Sequence, residues 1–546
     1  RVLSTAALMA MVSSIATAAF ADTYDLNKGS VDILAEDGKQ YITQWENESK
    51  GTYATDDKGE IKKRPDDDII LTTKNKDTGE TKTTSNTVTI DAKEDNTANV
   101  TLQDVHIETE RSWDNSGSAP IEIKGDGDTN LELNGNNTVL SGSSKHAGIE
   151  KADVNGTGTL TIKDDLNDNG KEKSGTDATG TLVAGGCYSG AGIGGGDGGT
   201  CKNIRIEGDA HVTAYAYDSG AIGSGYEPSG DSDITITDHA TVEAASVEGS
   251  GIGQGINASG KATITISGHA SVHAETFDYR AAIGSGSSSA TVNIEDHADV
   301  TAVSTGIAIG TGYGHDSDEY QEGTSTVINI TGGTVNAVTR GKESKPAIGT
   351  VKGNLDVTIN SSTGKTTVNT YTTGSDPLSL NIGTGHYDSS SRKYSTSPSE
   401  GAEYNEDGSS NLGEDNAAII NSYCNTPLGT DTYDAPKTLD DYAFRATYEA
   451  YGALYNAKHT LSDKDKGDLT KVVHNRKYMD ESPSIDTSDL KDEDLHDWKL
   501  VGKVVEPTTE KDGYADYICS IDKCGQTKHV VLPKIVPDTP STPETP

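Results

Sequence analysis

The sequence predicts an all-β solenoid, a right-handed parallel β-helix with about three short strands per coil. Three observations predict it. A phrase of Ile followed by Gly recurs at steps of 26 to 39 residues, and two runs of alternating β-branched and polar residues lie between most of these phrases. Glycine is abundant, with 61 residues among 546, while only 32% of the chain is hydrophobic. Such a composition favours thin, repeated cores over one large core, unless the chain is disordered.

The Ile–Gly phrase occurs seven times in the middle of the chain. The copies are Ile193-Gly194, Ile222-Gly223, Ile252-Gly253, Ile283-Gly284, Ile309-Gly310, Ile348-Gly349 and Ile382-Gly383. If the coils stack, each isoleucine lies about 4.8 Å above its equivalent in the previous coil, which is the usual distance between hydrogen-bonded strands. The glycine then provides a tight corner, where the backbone needs a positive φ or a close approach.

Two alternating runs separate the phrases, and each is a short strand by its period of two. The first runs hold Ile204/Ile206, Ile234/Ile236, Ile264/Ile266, Val292/Ile294 and Ile328/Ile330, and the second hold Val212/Ala214, Val242/Ala244, Val272/Ala274, Val300/Ala302 and Val335/Ala337. Three such strands cannot bury a hydrophobic face alone, but stacked coils can. The right hand is expected from crossover chirality. A β-sandwich followed by a disordered repeat is the alternative.

The regular helix is predicted to cover residues 85–390, because weaker alternation continues upstream from Val88 to Ile162. Residues 22–84 are more polar and are predicted to form an N-terminal cap with the first strands.

Three segments of the chain resemble a known family of proteins. They are Tyr24-Asp25-Leu26-Asn27-Lys28-Gly29, the run from Asn99 to Ile107, and the run from Ser189 to Gly196. The chain resembles the extracellular parallel β-helix surface proteins of Gram-positive gut bacteria, of the carbohydrate-binding domain-containing type. The resemblance covers about Tyr24 to Gly385. It implies the fold more strongly than the ligand, because its motifs are core and corner residues.

Residues 1–21 have the pattern of a secretory signal peptide: Arg1, an apolar run, and Ala19-Phe20-Ala21 before Asp22. A buried N-terminal helix is the alternative. The remaining apolar runs are too short to span a bilayer, so no transmembrane segment is predicted. We therefore expect a secreted, extracellular, cell-wall-associated protein. Because the chain begins at Arg1 and ends in a Pro/Thr tract, we also expect it to be a piece of a longer gene product.

The formal net charge is −40, from 85 acidic and 45 basic residues. Nucleic acid is an improbable partner for such a chain, because phosphate binding depends on Lys and Arg. A glycan or a host or cell-wall surface is the expected partner. Five cysteines are too few to form the main scaffold of an exported protein of this length.

The C-terminal third is predicted to hold four further segments. Residues 391–437 form a linker, and residues 438–482 form a helical hairpin that resembles the helical spacers of Gram-positive surface proteins. Residues 494–534 form a small β module, and residues 535–546 are a Pro/Thr-rich spacer.

The β module resembles an extracellular module with the pattern H-x-W followed by C-x-x-C-G, but here Cys519 and Cys524 are separated by four residues. Zinc held by the two cysteines with His496 or His529 is one hypothesis. A disulfide or free thiols is the other.

Two further patterns suggest ion binding. His239, His269 and His297 occupy equivalent turns, so stacking would place them in one column, either as a metal or proton-sensitive site or as exposed stacked rings. The run from Asp165 to Gly170 resembles the opening of a calcium loop, although Thr176 stands where the bidentate acid belongs. Calcium and zinc are therefore the candidate cofactors, and a solvated insertion is the alternative for the second pattern.

Aromatic residues in predicted turns are the candidate ligand-binding residues, because aromatic rings can stack on sugars. They are Tyr215, Tyr217, Tyr226, Phe277, Tyr279 and Tyr313. Covering of coil edges is the alternative for these tyrosines. No compact catalytic cluster is found in the regular repeats, so the sequence predicts a non-catalytic, glycan-binding or adhesive protein. A lyase or hydrolase of uronic-acid polymers and a passive surface stalk are the alternatives.

Overall fold

The computed structural model describes most of the chain between residues 22 and 372 and several shorter segments after it. The described ranges are 22–47, 52–53, 64–65, 69–110, 112, 117–151, 156–166, 180–276, 278–312, 324–339, 346–351, 353–372, 382–388, 393–397, 419–423, 498–505, 508, 511, 513–519, 527–532 and 534.

Three long sheets form the solenoid, and between residues 97 and 388 each coil contributes one strand to each sheet. The strands of sheet 1 are Asp22–Asp25, Ile69–Thr72, Thr97–Gln103, Asp128–Asn134, Leu160–Asp164, Cys201–Gly208, Ser232–Ile236, Ala262–Ile266, Ala290–Ile294, Ser325–Ile330 and Asn354–Ile359. Those of sheet 2 are His106–Glu108, Asn136–Leu140, Thr181–Gly185, His211–Ala216, Thr241–Ser246, Ser271–Thr276, Asp299–Ser304, Gly333–Thr339, Thr366–Thr372 and Ile419–Tyr423.

Sheet 3 has the largest number of strands, and from Ile193–Gly194 to Ile348–Thr350 its strands are the shortest of each coil. Its parallel strands are Val31–Glu36, Val88–Ala92, Ile121–Lys124, Ile149–Lys151, Ile193–Gly194, Ile222–Gly223, Ile252–Gly253, Ile283–Ser285, Ile309–Thr311, Ile348–Thr350 and Ile382–Asp388. Antiparallel strands flank both ends of this series, namely Lys39–Asn47 with Thr52–Tyr53 and Arg64–Pro65 at one end and Lys393–Ser397 at the other.

The predicted isoleucine column is confirmed. Ile193 pairs in register with Ile222, Ile222 with Ile252, and the pairing continues through Ile283, Ile309, Ile348 and Ile382. The first six are fully buried, and Ile382 is 3% exposed. The two predicted alternating runs supply the other inward columns, since Ile204, Ile234 and Ile264 stack in sheet 1 and Val212, Val242 and Val272 stack in sheet 2. One continuous core follows, as the parallel β-helix prediction requires.

The sheets extend beyond the residues assigned to the helix from the sequence. Asp22–Asp25 and Ile69–Thr72 already belong to sheet 1, and Ile419–Tyr423 pairs in parallel with Thr366–Thr372 in sheet 2. In the part of the chain that the structure describes, the 3-10 turn Leu26–Lys28 is the one helical element. The predicted helical hairpin at 438–482 and the signal peptide at 1–21 lie outside the described residues.

The predicted C-terminal β module is present as a separate three-stranded antiparallel sheet. Its strands are Trp498–Val505, Gly513–Cys519 and Thr527–Leu532. Val505, Tyr514 and Val531 pair across the three strands, and all three are exposed.

Candidate functional site: the aromatic corner

The corner between sheet 2 and sheet 3 carries the exposed aromatic side chains of the regular coils. Its segments are residues 186–192, 217–221, 247–251 and 278–282, which lie between the end of each sheet 2 strand and the Ile–Gly strand that follows it. We call these stacked segments the aromatic corner. The first three segments fold back over their short strands. In them, the N–H groups of Ala191, Gly220 and Ser250 donate to carbonyls four residues further on, at 3.0, 2.9 and 3.2 Å.

Buried hydroxyl groups fix the backbone of this corner. Ser246 Oγ lies 3.0 Å from the carbonyl of Tyr217 and 2.8 Å from that of Ser219, one coil earlier. Thr276 Oγ1 donates to the carbonyl of Gly249 at 2.7 Å, and Ser304 Oγ to that of Arg280 at 2.6 Å. The carbonyl of Tyr217 also accepts the backbone N–H of Glu248, whereas at Ser219, Gly249 and Arg280 the hydroxyls satisfy corner carbonyls that the sheet ladder does not reach.

Tyr188 and Tyr217 form a stacked pair at the aromatic corner. Their ring centroids are 5.3 Å apart and their planes differ by 21°. Tyr188 is 38% exposed, whereas Tyr217 is 9% exposed and supports it from the next coil. An aromatic face held rigidly at the surface is the kind of group on which an apolar sugar face can stack.

Tyr188 has a strained backbone. Its φ is +54°, in the left-handed region that bulky residues rarely adopt. Nine described non-glycine residues have a positive φ, and seven of them are Asp or Asn, which tolerate it. Strain of this kind costs about 1–3 kcal/mol and is typical of functional sites, so Tyr188 stands out from the other turn residues.

The other predicted aromatic residues have different surroundings. Tyr226 is half-buried, and its backbone N–H donates to the carbonyl of Ser189 beside Tyr188 at 3.0 Å. Tyr279 lies in the corner segment 278–282 and is 50% exposed, the most exposed of the described tyrosines at this corner. Tyr215 is buried at the end of a sheet 2 strand. Phe277 and Tyr313 lie outside the described residues.

The carboxylates beside Tyr188 at the aromatic corner come from the next two coils. Asp218 is buried, and its N–H donates to the carbonyl of Tyr188 at 2.9 Å. Glu248 occupies the next coil, where its N–H donates to the carbonyl of Tyr217 at 2.7 Å. Burial, together with the charges of Asp218 and Glu248, raises the pKa of Tyr188, which keeps this hydroxyl protonated at neutral pH.

The predicted histidine column is present in the turns between sheet 1 and sheet 2. The rings of His239 and His269 lie 5.2 Å apart at 16°, and those of His269 and His297 lie 4.8 Å apart at 7°. All three are exposed, and Asp209 lies 4.0 Å from Nδ1 of His239. In nearly parallel rings the ring nitrogens point the same way rather than towards a common point. Metal binding by this column stays a prediction.

The cysteine and calcium predictions are only partly covered by the described residues. Cys187 and Cys201 are buried, and burial raises the pKa of Cys201 to about 12, so Cys201 is a thiol. Cys519 ends its strand, whereas Cys524, His496 and residues 167–179 of the calcium-loop segment lie outside the described residues. Among the residues that are described, no group of three or more His, Cys, Asp or Glu side chains has a metal-binding arrangement.

The sequence analysis did not find a charged cluster on the outer face of sheet 1. Glu132 and Lys163 are neighbours in register, with Lys163 Nζ 3.9 Å from Oε2 of Glu132 and 2.9 Å from Oδ2 of Asp165. Oε1 of Glu132 accepts the backbone N–H groups of Asp165 and Leu166 at 2.9 and 2.6 Å.

Burial raises the pKa of Glu132 to about 7, although the hydrogen bonds from the N–H groups of Asp165 and Leu166 lower it. The cluster can therefore hold a proton at neutral pH, although Glu132 itself is buried. The sequence signal that could have revealed this cluster is the spacing of 31 residues between Glu132 and Lys163, which equals one coil.

Comparison of the chain with protein-family models, with curated proteins and with solved structures gives no match. Among the described residues, no helix has the length and apolar character needed to cross a bilayer.

Proposed function

We propose that this chain is a secreted, cell-wall-associated, non-catalytic protein that binds glycans through the aromatic corner of its β-solenoid. The observation that carries the proposal is the exposed, strained Tyr188 stacked on Tyr217. A rigid aromatic face with carboxylates beside it supplies both a stacking surface and acceptors for sugar hydroxyls. The signal-peptide pattern at 1–21 and the resemblance to carbohydrate-binding surface proteins support the same function.

Tyr188→Asn in the full chain tests the proposal. Asparagine tolerates a positive φ, so the variant should be as stable as the wild type, or more stable by up to about 1 kcal/mol. Its binding to immobilised glycans and host mucin should fall at least tenfold. The variant therefore distinguishes a binding role of Tyr188 from a structural one, because the protein would lose stability if Tyr188 were only structural.

Tyr514→Asn is the matched control. Tyr514 is 41% exposed, close to the 38% of Tyr188, but it lies on the separate C-terminal sheet. This variant should bind glycans as the wild type does. If no glycan or mucin binds the wild type, or if Tyr188→Asn binds normally, the proposed site is wrong. The result would then favour the alternative of a passive surface stalk.

A polysaccharide lyase or hydrolase is the second candidate, and the Glu132 cluster favours it. A carboxyl group with a pKa near 7 beside a lysine is a common acid–base arrangement. The test is incubation with polygalacturonate in the presence of Ca²⁺, followed by assay of unsaturated and reducing ends. If the wild type releases such ends and Glu132→Gln does not, the result would support an enzyme. If the wild type releases none, this second function is wrong.

A further inference from the structure

The aromatic rings of the corner follow the axis of the solenoid. Tyr188, Tyr217 and Tyr279 lie in three of the four corner segments, and successive coils are about 4.8 Å apart. Tyr188 and Tyr279 are therefore separated by three coil steps along the stack. Both are exposed, at 38% and 50%, and Glu248 belongs to the segment between Tyr217 and Tyr279.

The charged groups of this corner have an acidic balance. Asp218 and Glu248 lie on the corner itself, and the charges of Asp197 and Glu227 act on Tyr226 beside it. Two nearby cations are already paired. Arg280 is fully buried and pairs with Asp278, and Lys145 Nζ lies 3.0 Å from Asp197. An approaching acidic group therefore meets the half-exposed carboxylate of Glu248 and the exposed carboxylate of Glu227, on a chain whose total formal charge is −40.

We infer that the aromatic corner binds an extended polysaccharide without acidic groups, which lies parallel to the solenoid axis and contacts Tyr188 and Tyr279 at different sugar units. This inference rests on the proposed function. Two exposed rings that lie three coils apart favour a chain over a single terminal sugar. Repulsion by Asp218 and Glu248 disfavours uronic, sulfated and sialylated polymers.

The charge part of the inference is tested with immobilised neutral and acidic glycans at low and high salt. The wild-type chain should bind neutral glycans with little dependence on salt and should not bind polygalacturonate. Glu248→Lys should gain at least tenfold in binding to polygalacturonate at low salt and lose that gain at high salt. Glu295→Lys changes the net charge equally on a turn after a sheet 1 strand, and it should gain much less.

The axial part is tested with a length series of the neutral glycan that binds best. Affinity should rise at least tenfold between the disaccharide and the hexasaccharide. Tyr279→Ala should remove most of this gain, whereas Tyr188→Asn should weaken the binding of both the disaccharide and the hexasaccharide.

The outcomes separate the two claims. Wild-type binding to polygalacturonate as tight as to neutral glycans, or a disaccharide that binds as tightly as the hexasaccharide, would overturn the inference and leave glycan binding intact. If the wild type binds no glycan, the proposed function fails and the inference fails with it.

Discussion

The early coils and the regular coils of the solenoid have the same core but different corners. In sheet 3 the strands shorten from six residues at Val31–Glu36 to three at Ile149–Lys151, and then to two at Ile193–Gly194. One outward column changes with them: it holds Thr89, Glu122 and Glu150 in the early coils and glycine from Gly194 onward. The glycines are buried, whereas Thr89 and Glu122 are half-exposed.

The glycine column explains why the regular corner is tight. At Gly194, Gly253, Gly284, Gly310 and Gly349, φ lies between 131° and 142°. A Cβ added at Gly253 would lie 1.8 Å from the carbonyl oxygen of Gly284, and the neighbouring glycines are as crowded. Without side chains, the strand can be two residues long and the chain can fold back over it to form the aromatic corner. The core thus keeps the same shape along the stack, while the corner varies from coil to coil.

Gly253→Ala is expected to have the largest effect. The new Cβ meets backbone rather than a mobile side chain and requires a φ that L-residues avoid, so the coil should lose on the order of 3 kcal/mol or more. Thr89→Ala alters the same column in an early coil and should cost less than about 1 kcal/mol. Hydrogen exchange of peptides from each coil measures both changes locally, since stacked repeats need not unfold in one step. Equal losses would mean that the two corners do not differ as described.

Ser246→Ala should have the next largest effect. It removes the hydroxyl that contacts the carbonyls of Tyr217 and Ser219 and also accepts the N–H of Gly249 at 2.9 Å. We expect a loss of about 1–3 kcal/mol, because buried groups lose their partners. Ser141 follows the corresponding strand three coils earlier, and its hydroxyl donates over a longer distance of 3.3 Å to the carbonyl of Ser143. Ser141→Ala should therefore cost less, by the same exchange measurement, and the reverse order would contradict this account.

The early coils should also lose stability as the pH rises, whereas the segment Ala262–Thr276 should not. Glu132 has a pKa near 7 in the fold against 4.5 in its absence, so the folded state holds an extra proton between these values. Its contribution falls as the pH rises through that window, by on the order of 1–3 kcal/mol. The hydrogen bond to Glu150 raises the pKa of His146, so its contribution is present below pH 6.5 and is lost above it.

Exchange rates of peptides 121–134 and 262–276 at several pH values, corrected for intrinsic rates, measure this difference. Glu132→Gln keeps an oxygen for the N–H groups of Asp165 and Leu166 and should remove the slope below pH 6.5. A slope that persists there in the variant would assign the effect to another group.

The sequence predicted the core well because its signal is periodic. Each isoleucine of the Ile–Gly phrase repeats at a nearly constant step, and parallel stacking converts that step directly into contact. Tyr188 was not predicted as a candidate, although it precedes Tyr217 by 29 residues, the same step that separates Ile193 from Ile222. Its importance depends on a positive φ and on a ring in the next coil, and neither is visible in the local sequence. Glu132 was missed for the same reason, since burial and the partner Lys163 arise only when coils stack.

The histidine column should show the smallest effect on stability. His239, His269 and His297 are exposed at turns outside the core, so His269→Ala should change the stability of its coil by less than about 0.5 kcal/mol. The column also tests whether the regular coils bind metal. The parallel rings would need to rotate for two nitrogens to approach one ion at the usual zinc–nitrogen distance of about 2.1 Å. Calorimetric titration with Zn²⁺ should therefore detect no tight site that depends on His269. Tight binding in the wild type that disappears in His269→Ala would establish the column as a metal site formed by rearrangement of the turn.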